Sequence, residues 1–171
     1  MAETTDEAPA TAPPGGITAG QRTFLVVVDE TKEMRSALRY ACGRAKRTGG
    51  RVALLYVTEP AEFQHWLGVG KVMEDERRAE AEQALQALAS EVVEATGRMP
   101  ILYLREGRRS EELLRLLQEE PSISILVLGT AKGKADPGPI VSQLVGQMDR
   151  VRVPLTLVPG GLGPEEIDAL T

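Results

Sequence analysis

The chain has 171 residues, 42% of them hydrophobic and 26% charged. That profile fits a soluble globular protein, long enough to bury a core without disulfides or a structural metal. Twenty basic residues against 25 acidic ones leave a net charge of −5, so the dominant basic face of a non-specific nucleic-acid binder is lacking. One Cys and one His exclude an intrachain disulfide and a cysteine zinc site, and no apolar run approaches the roughly 18 residues of a membrane span. The opening, with Glu3, Asp6 and Glu7, has no apolar stretch of the kind a secretory signal needs. The expected location is the cytoplasm.

Residues 1–20 are Ala, Thr, Pro and Gly with few bulky side chains, a composition that cannot offset the entropy of ordering, and they are read as a disordered leader. Phe24 to Val28 is a continuous apolar, β-branched run, the pattern of a strand buried on both faces. Asp29 follows, then a helix with apolar positions Met34, Ala37, Leu38, Ala41, Cys42 and Ala45 at spacings of three and four. Thr31 is its expected N-cap and Gly49-Gly50 its end. Val52 to Val57 is the second strand. A loop with Phe63, His65 and Trp66 leads to a long helix from Lys71 to Thr96, stopped by Gly97 and Pro100. Its charged run Glu74 to Glu82 reads as a solvated face with pairs such as Glu74–Arg78.

Ile101 to Leu104 is a third, short strand. Ser110 reads as the N-cap of a helix through Gln118, closed by Pro121. Ile123 to Leu128 is a fourth strand, apolar apart from Ser124. The loop Gly129 to Gly138 runs into a helix at Pro139, a residue suited to the first helical position. Leu155 to Val158 is the fifth strand, and residues 161–171 form a tail ending in one short helical turn. The alternation implies one α/β domain over 21–160. It is a doubly wound parallel sheet of five strands, with right-handed crossovers and helices on both faces. With strand order 3-2-1-4-5 the winding reverses between strands one and four, and ligands bind beyond the carboxyl ends at such a point.

The residues from Thr23 to Pro159 resemble the universal stress protein family. The matching stretches are V-V-V-D, the helix pattern of Ala37, Leu38 and Ala41, T-G-G-R-V-A-L-L-Y-V, R-E-G at Arg105 to Gly107, I-L-V-L-G-T, and V-P-L-T-L-V-P. The resemblance implies the adenine nucleotide alpha-hydrolase-like (flavodoxin-like) fold. In many members it also implies ATP bound by an Asp after strand one and by a glycine loop after strand four, patterned G-x2-G-x9-G-[S/T]. On that pattern Asp29 takes the Asp position, Val57 offers backbone groups to adenine, Gly129 and Gly133 are the first two glycines, and Ser142 is the Ser/Thr. Gly133 comes one residue late, the loop to Ser142 is short, and Val141 replaces the third glycine, where its branched side chain is expected to block phosphate. Pro137 and Pro139 carry no N–H. Two lost charge-assisted hydrogen bonds at ~1.5–3 kcal/mol each weaken binding by about a hundredfold to ten-thousandfold. Lys132 and Lys134 could restore part of this and Asp136 would oppose it, so the cofactor expectation leans to none, with ATP or AMP as the alternative.

Each of these residues also has a structural reading. Asp29 can cap the first helix, Cys42 can be a core thiol, His65-Trp66 can anchor a loop tip, and Lys132 and Lys134 can be solvated. No hydrolytic triad, P-loop or dinucleotide fingerprint is present, so no intrinsic catalysis is expected. The fifth strand ends the sheet and would leave an apolar ladder open. The favoured function is therefore a cytoplasmic, dimeric binding and regulatory module of the stress response, paired through Pro154, Leu155, Thr156, Leu157 and Val158. Protein partners are possible, and neither nucleic acid nor membrane is expected. The alternative is an ATP- or AMP-binding stress regulator using the glycine loop, and an ATP-consuming enzyme is a third class.

Overall fold

The computed structural model describes residues 22–60, 69–133 and 137–171, with the side chains of 69–71 left out. The leader, the Phe63, His65 and Trp66 loop, and Lys134 and Asp136 lie outside the described residues. Five strands, β1 (Thr23–Val28), β2 (Arg51–Thr58), β3 (Ile101–Glu106), β4 (Ile123–Thr130) and β5 (Leu155–Pro159), form one parallel sheet in the order β3-β2-β1-β4-β5. The helices are α1 (Lys32–Thr48), α2 (Val69–Thr96), α3 (Arg109–Glu119), α4 (Pro139–Val145) and α5 (Pro164–Leu170), with a single 3₁₀ turn at Met148–Arg150.

All six residues of β1 are buried, because this central strand feeds both layers. Phe24, Val26 and Val28 pack under α1 and α2, while Leu25 and Val27 pack under α3 and α4. The alternation follows from the period of two along a strand. The polar Ser124 in β4 has a specific use. The β1–β4 register slips by one between Thr23 and Phe24, and the Ser124 hydroxyl accepts from the Thr23 N–H at 2.9 Å and donates to its carbonyl at 3.2 Å. It thereby satisfies the backbone groups that the bulge leaves without a ladder partner.

Helix α1 buries Met34, Ala37, Leu38, Ala41, Cys42 and Ala45, the stripe expected from its spacing. Thr31 caps it by accepting from the Met34 N–H at 3.2 Å. Gly49 ends it at φ 69°, the left-handed conformation that glycine takes without penalty. Helix α2 begins two residues before its expected start and, among the described side chains, buries apolar ones from Ala81 onward. In its exposed first half Arg78 pairs forward with Glu82 at 3.1 Å rather than back to Glu74.

Three sequence expectations are corrected. Helix α3 starts at Arg109, so Ser110 is not its N-cap. The Arg108 cap makes no side-chain bond and Ser110 lies in the first turn, buried, where Glu111 and Glu112 supply the negative charge that a helix start favours. The far end of α3 is closed by Arg152, which donates to the carbonyls of Leu117 and Glu120. Gly129 and Thr130 belong to β4 rather than to the following loop, because β5 pairs with both (Gly129 with Val158, Thr130 with Pro159). Residues 164–170 form a two-turn helix, not a tail, with Ile167 buried against α1 and Arg39 of α1 clamping Asp168 through two bonds of 2.7 and 2.5 Å.

Candidate functional site

The register brings the expected site residues to one edge of the sheet. Val28 is level with Tyr56 on one flank, and Val26 is level with Val127 on the other. Asp29, Val57 and Gly129 therefore all lie at the carboxyl ends of adjacent strands. Gly133 and Ser142 follow on the β4–α4 connection, whose stem is closed by the Ala131 N–H donating to the Pro137 carbonyl at 3.5 Å. The side chain of each residue decides what this edge can do.

The Asp29 carboxylate is engaged locally. Its Oδ1 accepts from the Thr31 N–H at 2.8 Å and from the Thr31 hydroxyl at 2.5 Å. The hydroxyl in turn accepts from Met34, so Asp29 holds the capping group that starts α1. Val57 is buried in the core beneath α3 and α4, and its strand position is paired with Arg105 of β3.

Gly129 is claimed by a helix. A Cβ there would collide with the Glu33 carbonyl and lie 2.8 Å from the Glu33 Cβ. The first turn of α1 thus sits directly on the end of β4. Gly160 completes the notch, since a Cβ there would fall 2.5 Å from the Glu33 Cγ and 2.7 Å from the Thr130 carbonyl. Separations that short are not tolerated without backbone movement.

Gly133 turns the chain at φ 70° with nothing within 4 Å of a built Cβ. Its glycine is required by the turn itself. Ser142 is exposed on α4 and its N–H donates to the Gly138 carbonyl at 3.0 Å. Val141 overturns the expectation that it blocks phosphate. It is 1% exposed and packs in the core with Leu128 and Leu144, so its side chain is turned away from any approach to the loop. Pro137 and Pro139 remain as the deficit. Pro139 is the first residue of α4 and brings no N–H, leaving the amides of Ile140 and Val141 as the first-turn donors without an intrahelical acceptor. Lys132 lays its aliphatic stem along Gly161, with Cδ 3.0 Å from a built Cβ.

A cavity of about 390 Å³ opens beside Asp29, between the start of α1 and α2, lined by Asp29, Lys32, Arg35, Tyr56 and Leu88. Among the described residues, none of its lining comes from the β4–α4 connection. Asp29 thus lines a cavity that the described part of the glycine connection does not enter. Sequence reasoning missed Glu33 and Gly160, and no local pattern marks them, because their role arises only when β4 and β5 lie side by side.

Cys42 is a core residue on α1, 6% exposed. Burial, reinforced by the Glu91 charge, pushes its thiol up to about 11, which removes the thiolate that nucleophilic chemistry needs. Among the described residues no group of three or more His, Cys, Asp or Glu could hold a metal ion.

Comparison with known proteins gives a consistent result. The model of the universal stress protein family matches residues 21–159. Among solved structures, the universal stress protein UspA from Lactobacillus plantarum is similar at 20% identity over 82% of this chain and 99% of that one, TM-score 0.68. A universal stress family protein from Burkholderia pseudomallei is similar at 20% identity over 85% and 99%, TM-score 0.62. A universal stress protein in complex with cAMP is similar at 13% identity over 82% and 98%, TM-score 0.60. These likenesses confirm the fold. The search of curated proteins returned no match.

Two outcomes follow. Gly129→Ala should lower the unfolding free energy by about 1–3 kcal/mol without any ligand, through overpacking against Glu33, as read by urea denaturation. An unchanged midpoint would show that the glycine is not required by packing. Cys42 should react slowly with a thiol reagent at pH 7–8 in the native protein and rapidly in denaturant. Because the folded thiol holds its proton above the pH at which the unfolded one loses it, stability should fall as pH rises from about 9 towards 11, a slope that Cys42→Ala should remove.

Proposed function

Because the chain belongs to the universal stress protein family, we propose that it acts as a cytoplasmic, dimeric binding module of the stress response, with weak or no ATP binding and no catalysis of its own. The observation that carries this reading is the seat of Glu33 on Gly129. The glycine available for close approach of a phosphate is occupied by the protein's own helix. Pro137 and Pro139 take two amides out of the connection, and Asp29 is already bonded to Thr31. Among the described residues no helix is long and apolar enough to cross a membrane, in keeping with a cytoplasmic role.

The two edges of the sheet support a dimer. At the β3 edge the strand ends in Arg105 and Glu106, and Arg105 is paired with Glu119 at 2.7 Å; charged residues of this kind protect an open strand. The β5 edge reads Leu-Thr-Leu-Val-Pro with no charge, and Leu157 is 43% exposed. Pairing β5 antiparallel with a second copy removes that liability and produces a two-fold interface in which the same patch meets itself.

A second reading, an ATP- or AMP-binding regulator, is favoured by the cavity beside Asp29 and by the similar protein whose structure holds cAMP. In it, phosphates would lie at the start of the helix that carries Ser142. Calorimetric titration with ATP and with AMP, magnesium present, distinguishes the two readings. The proposal expects no saturation in the micromolar range. Low-micromolar affinity abolished by Ser142→Asp would establish the nucleotide reading instead.

Size-exclusion chromatography with light scattering tests the assembly. The native protein should elute as a dimer and Leu157→Arg as a monomer of unchanged circular dichroism. A monodisperse monomer for the native chain would overturn the interface.

A further inference from the structure

A concavity of about 910 Å³ lies away from the carboxyl edge. It is a groove along the outer surface of α1, walled by α2 on one side and α5 on the other. Its floor is Leu38 and Cys42, with Gly43 covered by Thr171 of the α5 wall, and its rim carries Arg35, Arg39, Lys46 and Arg47. Helix α1 holds six basic residues against one acid, Glu33, in a chain whose net charge is −5.

The walls neutralise only one half of the groove. Arg35 pairs with Glu91 of α2 at 2.6 Å, and Arg39 pairs with Asp168 of α5 at 2.5 Å. Lys46 and Arg47, at the other end, have no acidic partner among the described residues. Unpaired cations over an apolar floor define the occupant as an acidic segment with small apolar side chains.

The chain supplies such a segment beside the groove. Arg22 joins the end of α1, where its carbonyl accepts from the Arg51 N–H at 2.8 Å and lies 2.5 Å from a Cβ built on Gly50. The preceding residues, 1–21, contain Glu3, Asp6 and Glu7 and no Lys or Arg. Glu7 precedes Arg22 by 15 positions, a tether with a root-mean-square span of roughly 19–23 Å. The groove from Arg47 to Arg35 is about 18 Å long at the helical rise.

We infer that the acidic N-terminal segment of the same chain docks in the α1 groove, its carboxylates against Lys46 and Arg47. The inference is independent of whether nucleotide binds at the carboxyl edge.

Zero-length carbodiimide coupling of the full chain, followed by trypsin and mass spectrometry, tests it. All three acids of the segment fall in the one tryptic peptide 1–22, and Lys46 is the lysine on the rim. The expected product, in protein of monomer mass, joins that peptide to Lys46. Its yield should fall at least about fivefold in 0.5 M NaCl and in Arg47→Glu, which leaves both coupled groups in place. Coupling to Lys46 no greater than to Lys132, or unchanged in Arg47→Glu, would overturn the inference. So would a conjugate confined to protein of dimer mass, which assigns the groove to a second copy. Loss of the conjugate with millimolar inorganic phosphate, beyond the effect of chloride at equal ionic strength, would also overturn it and assign the groove to a small anion.

Discussion

The contact between the first turn of α1 and the ends of β4 and β5 organises this protein. Glycine at 129 lets the Glu33 carbonyl, and glycine at 160 the Glu33 side chain, come closer than a Cβ would permit, and the helix then lies across the edge where the winding of the sheet reverses. That seat carries three consequences. At the crevice that a doubly wound sheet normally offers a ligand, the glycine near the end of β4 is covered by Glu33. Asp29 is committed to the turn that launches the helix. The opposite surface of α1 is left facing outward between α2 and α5, where its cations form the groove. Concave surface thus lies both beside Asp29 and along the outer side of α1.

The architecture was legible because its signals are local and strong. An apolar run such as Phe24 to Val28 can satisfy its side chains only if both faces are covered, and it is the wholly buried central strand. The stripe Met34 to Ala45 matches the buried face of α1 residue for residue, since period alone determines which side of a helix is apolar. Where competing chemistry exists at one position, the reading shifts. Ser110 has an N-cap side chain, yet α3 begins ahead of it at Arg109 and buries the serine, because packing in the first turn outweighs a cap of about 1 kcal/mol. Residues 164–170 carry one buried side chain, Ile167, too little apolar periodicity to announce a helix, and their order comes from docking onto α1.

The site was legible in its residue types but not in their allegiance. A glycine after a buried strand indicates that something approaches closely; whether a phosphate or a helix does so depends on a partner 96 positions away, at Glu33. Val141 illustrates the same gap. Its branched side chain was expected to crowd the loop, whereas the start of α4 at Pro139 sets a helical phase that turns residue 141 into the core beside Leu144. The prolines fare differently, because a missing N–H is a covalent property that no tertiary arrangement alters. Arguments built on what a residue lacks carried into the structure better than arguments built on where its side chain points.

The charge distribution along α1 separates two roles that composition merges. Cations in a last turn favour the helix dipole, which accounts for the placement of Lys46 and Arg47, but it gives no reason for Arg35 and Arg39 nearer the start. Those two are held by acids from neighbouring helices and fasten α2 and α5 to the flanks of α1, creating the walls between which the other two remain open. Each such exposed pair contributes little on its own, about 0–1 kcal/mol, and less as salt rises. A tethered segment needs little intrinsic affinity, because a short flexible linker that reaches its site holds the local concentration in the millimolar range, where an intrinsic dissociation constant of about 1 mM, roughly 4 kcal/mol, already gives half occupancy.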